Sequence, residues 1–254
     1  MRICCCVKRV PAPGARINVT ADGQAVDTAH LGFTTSPHEE CGVEEAVQLT
    51  EAHGGEVTVL TLGPPEAAEQ LRYAASVGAH HGVLVPTDCS AWDPQRTALA
   101  LTAAIRTLEE AGGPFDLLIF GNESADSGGF QVGVRVAVAL GRPIVGGIKG
   151  IEIDGTTVRA RRQTDAGFEV YEMSMPAAVG VKEGINLPRY PTMRGRLASK
   201  RLEVGELPIE APRGGQSMHR LHRPADVVSE TVLLGEGPAA ASAVVDVLAD
   251  LGVL

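Results

Sequence analysis

No run of about 20 apolar residues, the length a membrane-crossing helix needs, occurs in the 254-residue chain. The apolar start Met1-Arg2-Ile3-Cys4-Cys5-Cys6-Val7 is too short for a signal peptide. These two absences predict a cytoplasmic protein. A disulfide framework is excluded as well, because the five cysteines are odd in number and three stand side by side in an apolar run. Successive strand side chains point to opposite faces and zinc sites favour C-x-x-C spacing, so Cys4, Cys5 and Cys6 read as small core residues rather than metal ligands. Positive charge is scarce. With 22 Lys and Arg against 31 Asp and Glu, the net charge of -9 argues against a nucleic-acid partner.

Catalytic signatures are missing too. Ser124 sits in no G-x-S-x-G elbow, the seven histidines show no H-E-x-x-H spacing, and neither a Walker loop nor a G-x-G-x-x-G fingerprint is present. Glu44 and Glu45 are adjacent on a predicted helix and point about 100° apart, so they make no acid-base pair and are expected on a solvated face. His80 and His81 read as loop surface. No fixed-period repeat or low-complexity tract stands out.

What remains is an ordinary globular composition, 44% hydrophobic and 21% charged, long enough to bury a sizeable core. Apolar runs at Ile3 to Val10, Val57 to Leu62, Gly82 to Pro86 and Leu117 to Phe120 read as strands. Helical patterns at His38 to His53, Pro65 to Val77, Pro94 to Ala111 and Gly129 to Leu140 alternate with them. That alternation predicts an α/β fold with a doubly wound, mostly parallel sheet whose strands are buried on both faces. From Ile144 onward the period changes to two. Ile151 to Arg162, with an Asp154-Gly155 turn, and Phe168 to Met175 predict a small antiparallel addition. Residues 1–203 are expected to form the α/β domain and 204–254 an extension: an irregular arm from Glu206 to Pro224, then a helix from Pro238 to Leu251. An apolar helix on such an arm points to a partner subunit, or to a helix folded back on its own core. Residues 11–35 form a long excursion after the first strand, of a size usually tied to function.

In a doubly wound sheet, ligands bind outside the carboxyl ends of the strands where strand order reverses. The ends available here are Cys6-Val7-Lys8-Arg9, Thr61-Leu62-Gly63-Pro64 and the loop from Gly121 to Gly129, which carries Asn122, Glu123, Ser124, Asp126 and Ser127. Gly128-Gly129 lets backbone approach a ligand, and the following helix start offers free N–H groups to a phosphate. Spacing alone leaves two readings open, a nucleotide site or an ordinary capped helix start.

Four segments, in order, carry a resemblance to electron transfer flavoprotein beta subunits. Pro176 to Tyr190, with Asn186, Pro188, Arg189 and Tyr190 on an N-x-P-R-Y pattern and a basic run ending in Lys200-Arg201, is similar to the family signature. The family often has an acidic residue, an arginine and a glutamate where this chain has Lys182, Gly184 and Leu187. Cys6 to Val10 resembles the family's A-V-K-R-V, and Ser36 to Val47 its N-P-x-x-x-x-A-V-E-E-A-V. Gly121, Asp126, Gln131 and Gly133 fall on a pattern close to G-x-x-A-x-D-x-x-x-x-Q-x-G, with Ser127, Phe130 and Val132 at places where the family often differs.

The resemblance implies AMP as a structural nucleotide, bordered by Cys6, Lys8, Ser36, Glu39, Leu62, Gly121, Asp126, Ser127, Phe130, Gln131, Val132 and Gly133. It implies FAD held mainly by an alpha subunit, with Pro13 and His38 at places bordering the flavin and His38 able to tune it if protonatable. It further implies a heterodimer that carries electrons from dehydrogenases to a quinone-linked oxidoreductase or other acceptor. No catalytic residue and no metal are expected. Arg189, Tyr190, Met193 and Arg194 fall on the segment the family uses for docking, with Met193 as anchor or simply an exposed methionine. A bifurcating member of the same family would hold a second FAD in place of AMP. A universal-stress-type adenine-nucleotide sensor would share the fold but leave the N-x-P-R-Y segment unexplained.

Overall fold

The computed structural model of the protein describes residues 1–88, 92–210, 212–225 and 231–254. Strands β1 (Arg2–Val7), β2 (Glu56–Gly63), β3 (His81–Pro86) and β4 (Leu117–Gly121) alternate with helices α1 (Pro37–His53), α2 (Ala68–Ser76) and α3 (Pro94–Gly112). Helix α4 (Val132–Ala139), strands β5 (Ile144–Asp154), β6 (Thr157–Thr164), β7 (Gly167–Ser174) and β8 (Ala177–Val181), helix α5 (Met193–Ser199) and strand β9 (Gly205–Glu206) follow. The chain divides into two compact units, Met1–Leu221 and His222–Leu254. The second contains α6 (Ala241–Asp250), which buries none of its residues.

Among the described residues one nine-stranded sheet runs β7-β6-β5-β8-β4-β1-β2-β3-β9. Strands β5, β8, β4, β1, β2, β3 and β9 run parallel to one another, whereas β6 pairs antiparallel with both β5 and β7. The chain winds outward from β1 through β2 to β3, then crosses to β4 on the other side of β1. Strand order therefore reverses between β1 and β4, the place where such folds bind ligands.

Side-chain alternation along β1 divides the core. Ile3, Cys5 and Val7 join the apolar layer under α1 and α2, while Cys4 and Cys6 join Leu101, Ile105 and Val136 under α3 and α4. Cys4, Cys5 and Cys6 are buried, as expected of small core residues, and their thiols are free. Helix starts obey local chemistry: Pro37 and Pro94 occupy first-turn positions, and the Asp93 carboxylate accepts the Arg96 N–H at 2.6 Å.

Several boundaries differ from the sequence reading. The first strand ends at Val7 instead of Val10, because the Lys8 N–H donates to the Glu39 carboxylate at 2.9 Å. Arg9–Pro11 then pairs with Phe33–Thr35 in a separate antiparallel ribbon. Helix α4 begins at Val132 rather than Gly129, since Gly128 and Phe130 take φ of +54° and +53°, outside helical space. The antiparallel hairpin is fused to the edge of the main sheet through β5. Its turn residues are Gly155 and Thr156, one place beyond the expected pair, because Asp154 pairs with Thr157. His81 opens β3, although both His80 and His81 are exposed as expected. Residues 205–221 return to the first unit: β9 pairs with β3, and Leu221 N–H donates to the Gly23 carbonyl at 2.8 Å. Cys89 and the parts of the expected extension at 211 and 226–230 lie outside the described residues.

Candidate functional site

A cleft of about 520 Å³ opens at the carboxyl ends of β1 and β4, within the roughly 300–1,000 Å³ typical of small-ligand sites. Of the residues expected to border a nucleotide, Cys6, Lys8, Glu39, Leu62, Gly121, Ser127, Phe130, Gln131, Val132 and Gly133 line it. Leu62, Leu101, Phe120 and Ile144 make apolar walls, joined by Trp92 before α3 and Gln216 from the returning segment. Trp92 and Gln216 belong to no motif and meet only through tertiary structure. The Asp93 carboxylate fixes the returning segment there by accepting the N–H groups of Gly215 and Gln216 at 2.7 and 2.6 Å.

Two glycines set the cleft's shape. A Cβ on Gly133 would stand 2.9 Å from the Phe120 ring, so α4 packs onto β4 only without a side chain there. A Cβ on Gly121 would stand 2.6 Å from Glu39 Cγ. Glycine at 121 thus admits a buried carboxylate into the cleft wall.

Lys8 is the only cation lining the cleft among the described residues. Its ammonium lies 2.7 Å from the Asp126 carboxylate and 3.4 Å from the Ser127 hydroxyl, which is in turn 2.9 Å from that of Ser124. Burial works against ionised Asp126, but the charge of Lys8 and the hydrogen bonds of its loop hold the carboxyl below its ordinary value. Asp126 therefore orients Lys8 instead of lining the cleft itself. Glu39 shows the opposite balance. Burial outweighs the N–H groups of Lys8 and Ser36 that it accepts, and pushes its carboxyl from 4.5 up to about 7.

Besides Asp126, three expected residues stand outside the cleft lining. Pro13 is exposed on the excursion after β1. Ser36 is fully buried at the cap of α1. His38 bridges two loops: its Nδ1 accepts the Glu183 N–H at 2.7 Å while Nε2 lies 3.3 Å from the Glu123 carboxylate. Both ring nitrogens are thereby engaged, in the tautomer with hydrogen on Nε2.

The His38 bridge begins a row of contacts that stitches residues 183–189 along α1. Asn186 Nδ2 donates to the Cys41 carbonyl at 3.1 Å and to Glu45 at 2.7 Å. The Arg189 guanidinium grips both Glu44 oxygens, with Nε 2.9 Å from Oε2 and Nη2 3.0 Å from Oε1, and reaches Glu51 at 2.7 Å. Glu44 and Glu45, expected on a solvated face, are instead buried, because their partners arrive from a segment some 140 residues away in sequence. Glu44 is held below its ordinary value because the hydrogen bonds from Arg189 overcome burial, whereas burial leaves Glu45 above its own. Beyond this clasp the chain turns outward. Tyr190 is 91% and Met193 75% exposed, and Arg194 is exposed beside them.

The donors and walls fit an adenine nucleotide: an ammonium, hydroxyls and the free N–H groups at the α4 start for phosphate, and apolar surfaces for a flat base. No group of three or more His, Cys, Asp or Glu that could hold a metal occurs among the described residues, and none of their helices is long and apolar enough to cross a membrane.

Comparison with known proteins places the chain in a family. The electron transfer flavoprotein domain family matches residues 25–212. The chain is 35% identical over 205 residues to the electron transfer flavoprotein subunit beta of Syntrophomonas wolfei, covering 80% of this chain and 78% of that protein. It is 34% identical over 209 residues to the subunit of the same name from Mycobacterium tuberculosis, covering 80% and 77%. Protein FixA of Bradyrhizobium diazoefficiens is 31% identical over 203 residues, covering 78% and 70%. With a switch-point cleft, a clasped N-x-P-R-Y segment and relatives matched over most of their length, the chain belongs to the electron transfer flavoprotein beta-subunit family.

Proposed function

We propose that this chain is the beta half of a cytoplasmic heterodimer, with AMP in the switch-point cleft and an alpha subunit carrying most of the FAD. The observation that carries the nucleotide reading is the meeting of Lys8, Ser127, Gln131 and the α4 start around one cleft. One lining cation among the described residues, already paired with Asp126, suits a monophosphate better than the longer pyrophosphate of a second FAD. The chain's own residues bind and position. Gly133 brings the α4 N–H groups close, Phe120 and Leu62 supply apolar walls, and Asp126 aims Lys8.

Flavin, when bound, supplies the redox chemistry, while the protein provides binding, orientation and electrostatics. His38 is the residue of this chain proposed to border it together with Pro13. Because Glu123 and the Glu183 N–H fix its ring, His38 presents a set orientation. Docking falls to the segment after the clasp. Met193 and Leu197, four residues apart on α5, are 75% and 60% exposed on one face, with Arg194, Arg196, Lys200 and Arg201 exposed around them. Such a surface suits dehydrogenases offering an apolar pocket with an acidic rim. Val244, Val245 and Val247 of α6 are exposed and unpacked, the kind of surface an alpha subunit would cover. Electrons pass on to a quinone-linked oxidoreductase or other acceptor.

The test is to co-purify the chain with its alpha subunit and follow the flavin absorbance after adding a dehydrogenase and its substrate. Bleaching that returns on addition of an acceptor supports the role. A heterodimer without flavin, or flavin that no dehydrogenase reduces, contradicts it.

A further inference from the structure

We propose that Glu44, acting through Arg189, is a positioning residue that sets the docking segment for the partner dehydrogenase, an inference that rests on the docking role assigned to residues 190–199. Three observations carry it. First, Glu44 projects from the buried side of α1, only 3% exposed, and both its carboxylate oxygens are used. Oε1 takes Gln48 Nε2 at 2.7 Å and Oε2 takes the Arg189 backbone N–H at 3.1 Å, so the carboxylate holds the main chain of the signature segment as well as its guanidinium. Second, Glu51, two turns further along α1, receives Nη1 and Nη2 at 2.7 and 2.9 Å. Two carboxylates spaced seven residues apart on one helix thus present a rigid bidentate seat that a lysine would not fill.

Third, the docking helix has no slack where it leaves this seat. Thr192 caps α5 by accepting the Gly195 N–H at 3.0 Å. A Cβ on Gly195 would lie 2.1 Å from the Ser76 carbonyl, so α5 rests directly on the end of α2. The segment is therefore fixed at two points, the Arg189 seat on α1 and the Gly195 contact on α2. Between and beyond them Tyr190, Met193 and Leu197 face outward. Shifting the seat moves the anchor side chains, while neither Glu44 nor Arg189 lines the cleft.

The experiment uses the purified heterodimer and its cognate dehydrogenase, with flavoprotein concentration varied. Glu44→Gln and Arg189→Lys should each raise the apparent KM about tenfold with no matching fall in kcat, while flavin and nucleotide content stay at wild-type levels. The double variant should show little more than either single, as residues of one unit do. Glu51→Gln, at an exposed site where a substitution costs folding little, should raise the KM a few-fold and provides the reading if the buried variants fail to assemble. Met193→Ala serves as the control for docking itself. If Met193→Ala raises the KM and the clasp variants, Glu51→Gln included, do not, the positioning role is overturned. If none of the variants, Met193→Ala included, changes the KM, the docking assignment falls and the positioning role with it.

Discussion

Glu39 and Lys8 concentrate the electrostatics of the cleft, and each has a measurable signature. The folded-state value of Glu39 is raised from 4.5 to about 7, so the native protein holds a proton that the unfolded chain releases. Stability from this group is therefore present at low pH and lost as pH rises from about 4.5 to about 7. The loss is on the order of 3 kcal/mol, from about 1.4 kcal/mol per unit. Glu39→Gln should flatten that part of the stability profile, leaving the variant relatively more stable at pH 8 than at pH 4. Denaturant titrations across that range check it, and parallel profiles for the two proteins would refute the assignment. Lys8→Met should lower nucleotide retention by roughly 10- to 100-fold, the worth of one charge-assisted hydrogen bond. Nucleotide released on denaturation measures it, and full retention would move the phosphate elsewhere. Asp126→Ala and Gln131→Ala should lower nucleotide content and subunit assembly before flavin properties change, by the same measurement.

At the scale of elements, the seat of α4 turns on Gly133 and the α1 clasp centres on Arg189. Gly133→Ala inserts a methyl 2.9 Å from the Phe120 ring and must lift α4 from β4. A cost of about 1 to 3 kcal/mol is expected, together with lost nucleotide, since the helix start moves. Arg189→Ala leaves Glu44 buried without its cationic partner, satisfied only by Gln48 and the backbone N–H of residue 189, and should cost about 3 kcal/mol. Thermal unfolding of the heterodimer reads both, and an unchanged melting temperature in Arg189→Ala would show that the clasp is not what holds the signature segment.

Much of this element scale is legible in the sequence, for physical reasons. Leu117 to Phe120 is apolar throughout and Val57 to Leu62 is apolar apart from Thr58 and Thr61, as strands covered on both faces require, and the prolines at 37 and 94 mark helix starts. The polar loop from Gly121 and the start of α4 are legible as a site because glycine, small hydroxyls and a helix start lie within a dozen residues. Tertiary partnerships are not. Nothing local to Glu44 and Glu45 announces Asn186 and Arg189, and nothing near Trp92 announces Gln216. The end of β1 at Val7 is hidden likewise, since a carboxylate on α1 diverts the Lys8 N–H from the sheet.

For the whole molecule, exposed apolar surface is the dominant unmet demand. Val232, Leu233, Val244, Val245, Leu251, Val253 and Leu254 are all solvent-facing in the second unit. Expressed without its alpha subunit, the chain should be poorly soluble or melt several degrees lower than in the heterodimer, because a partner that binds only the folded form stabilises it by mass action. A monodisperse solitary chain with the heterodimer's melting temperature would contradict this.

The central claim is that the cleft between β1 and β4 holds a nucleotide distinct from the flavin of the complex. Its most direct test is the ligand stoichiometry of the purified, denatured heterodimer, measured for wild type and for Lys8→Met. One FAD and one AMP per wild-type heterodimer are predicted, with AMP alone reduced in Lys8→Met. Two flavins and no AMP, or AMP undiminished in Lys8→Met, would contradict it.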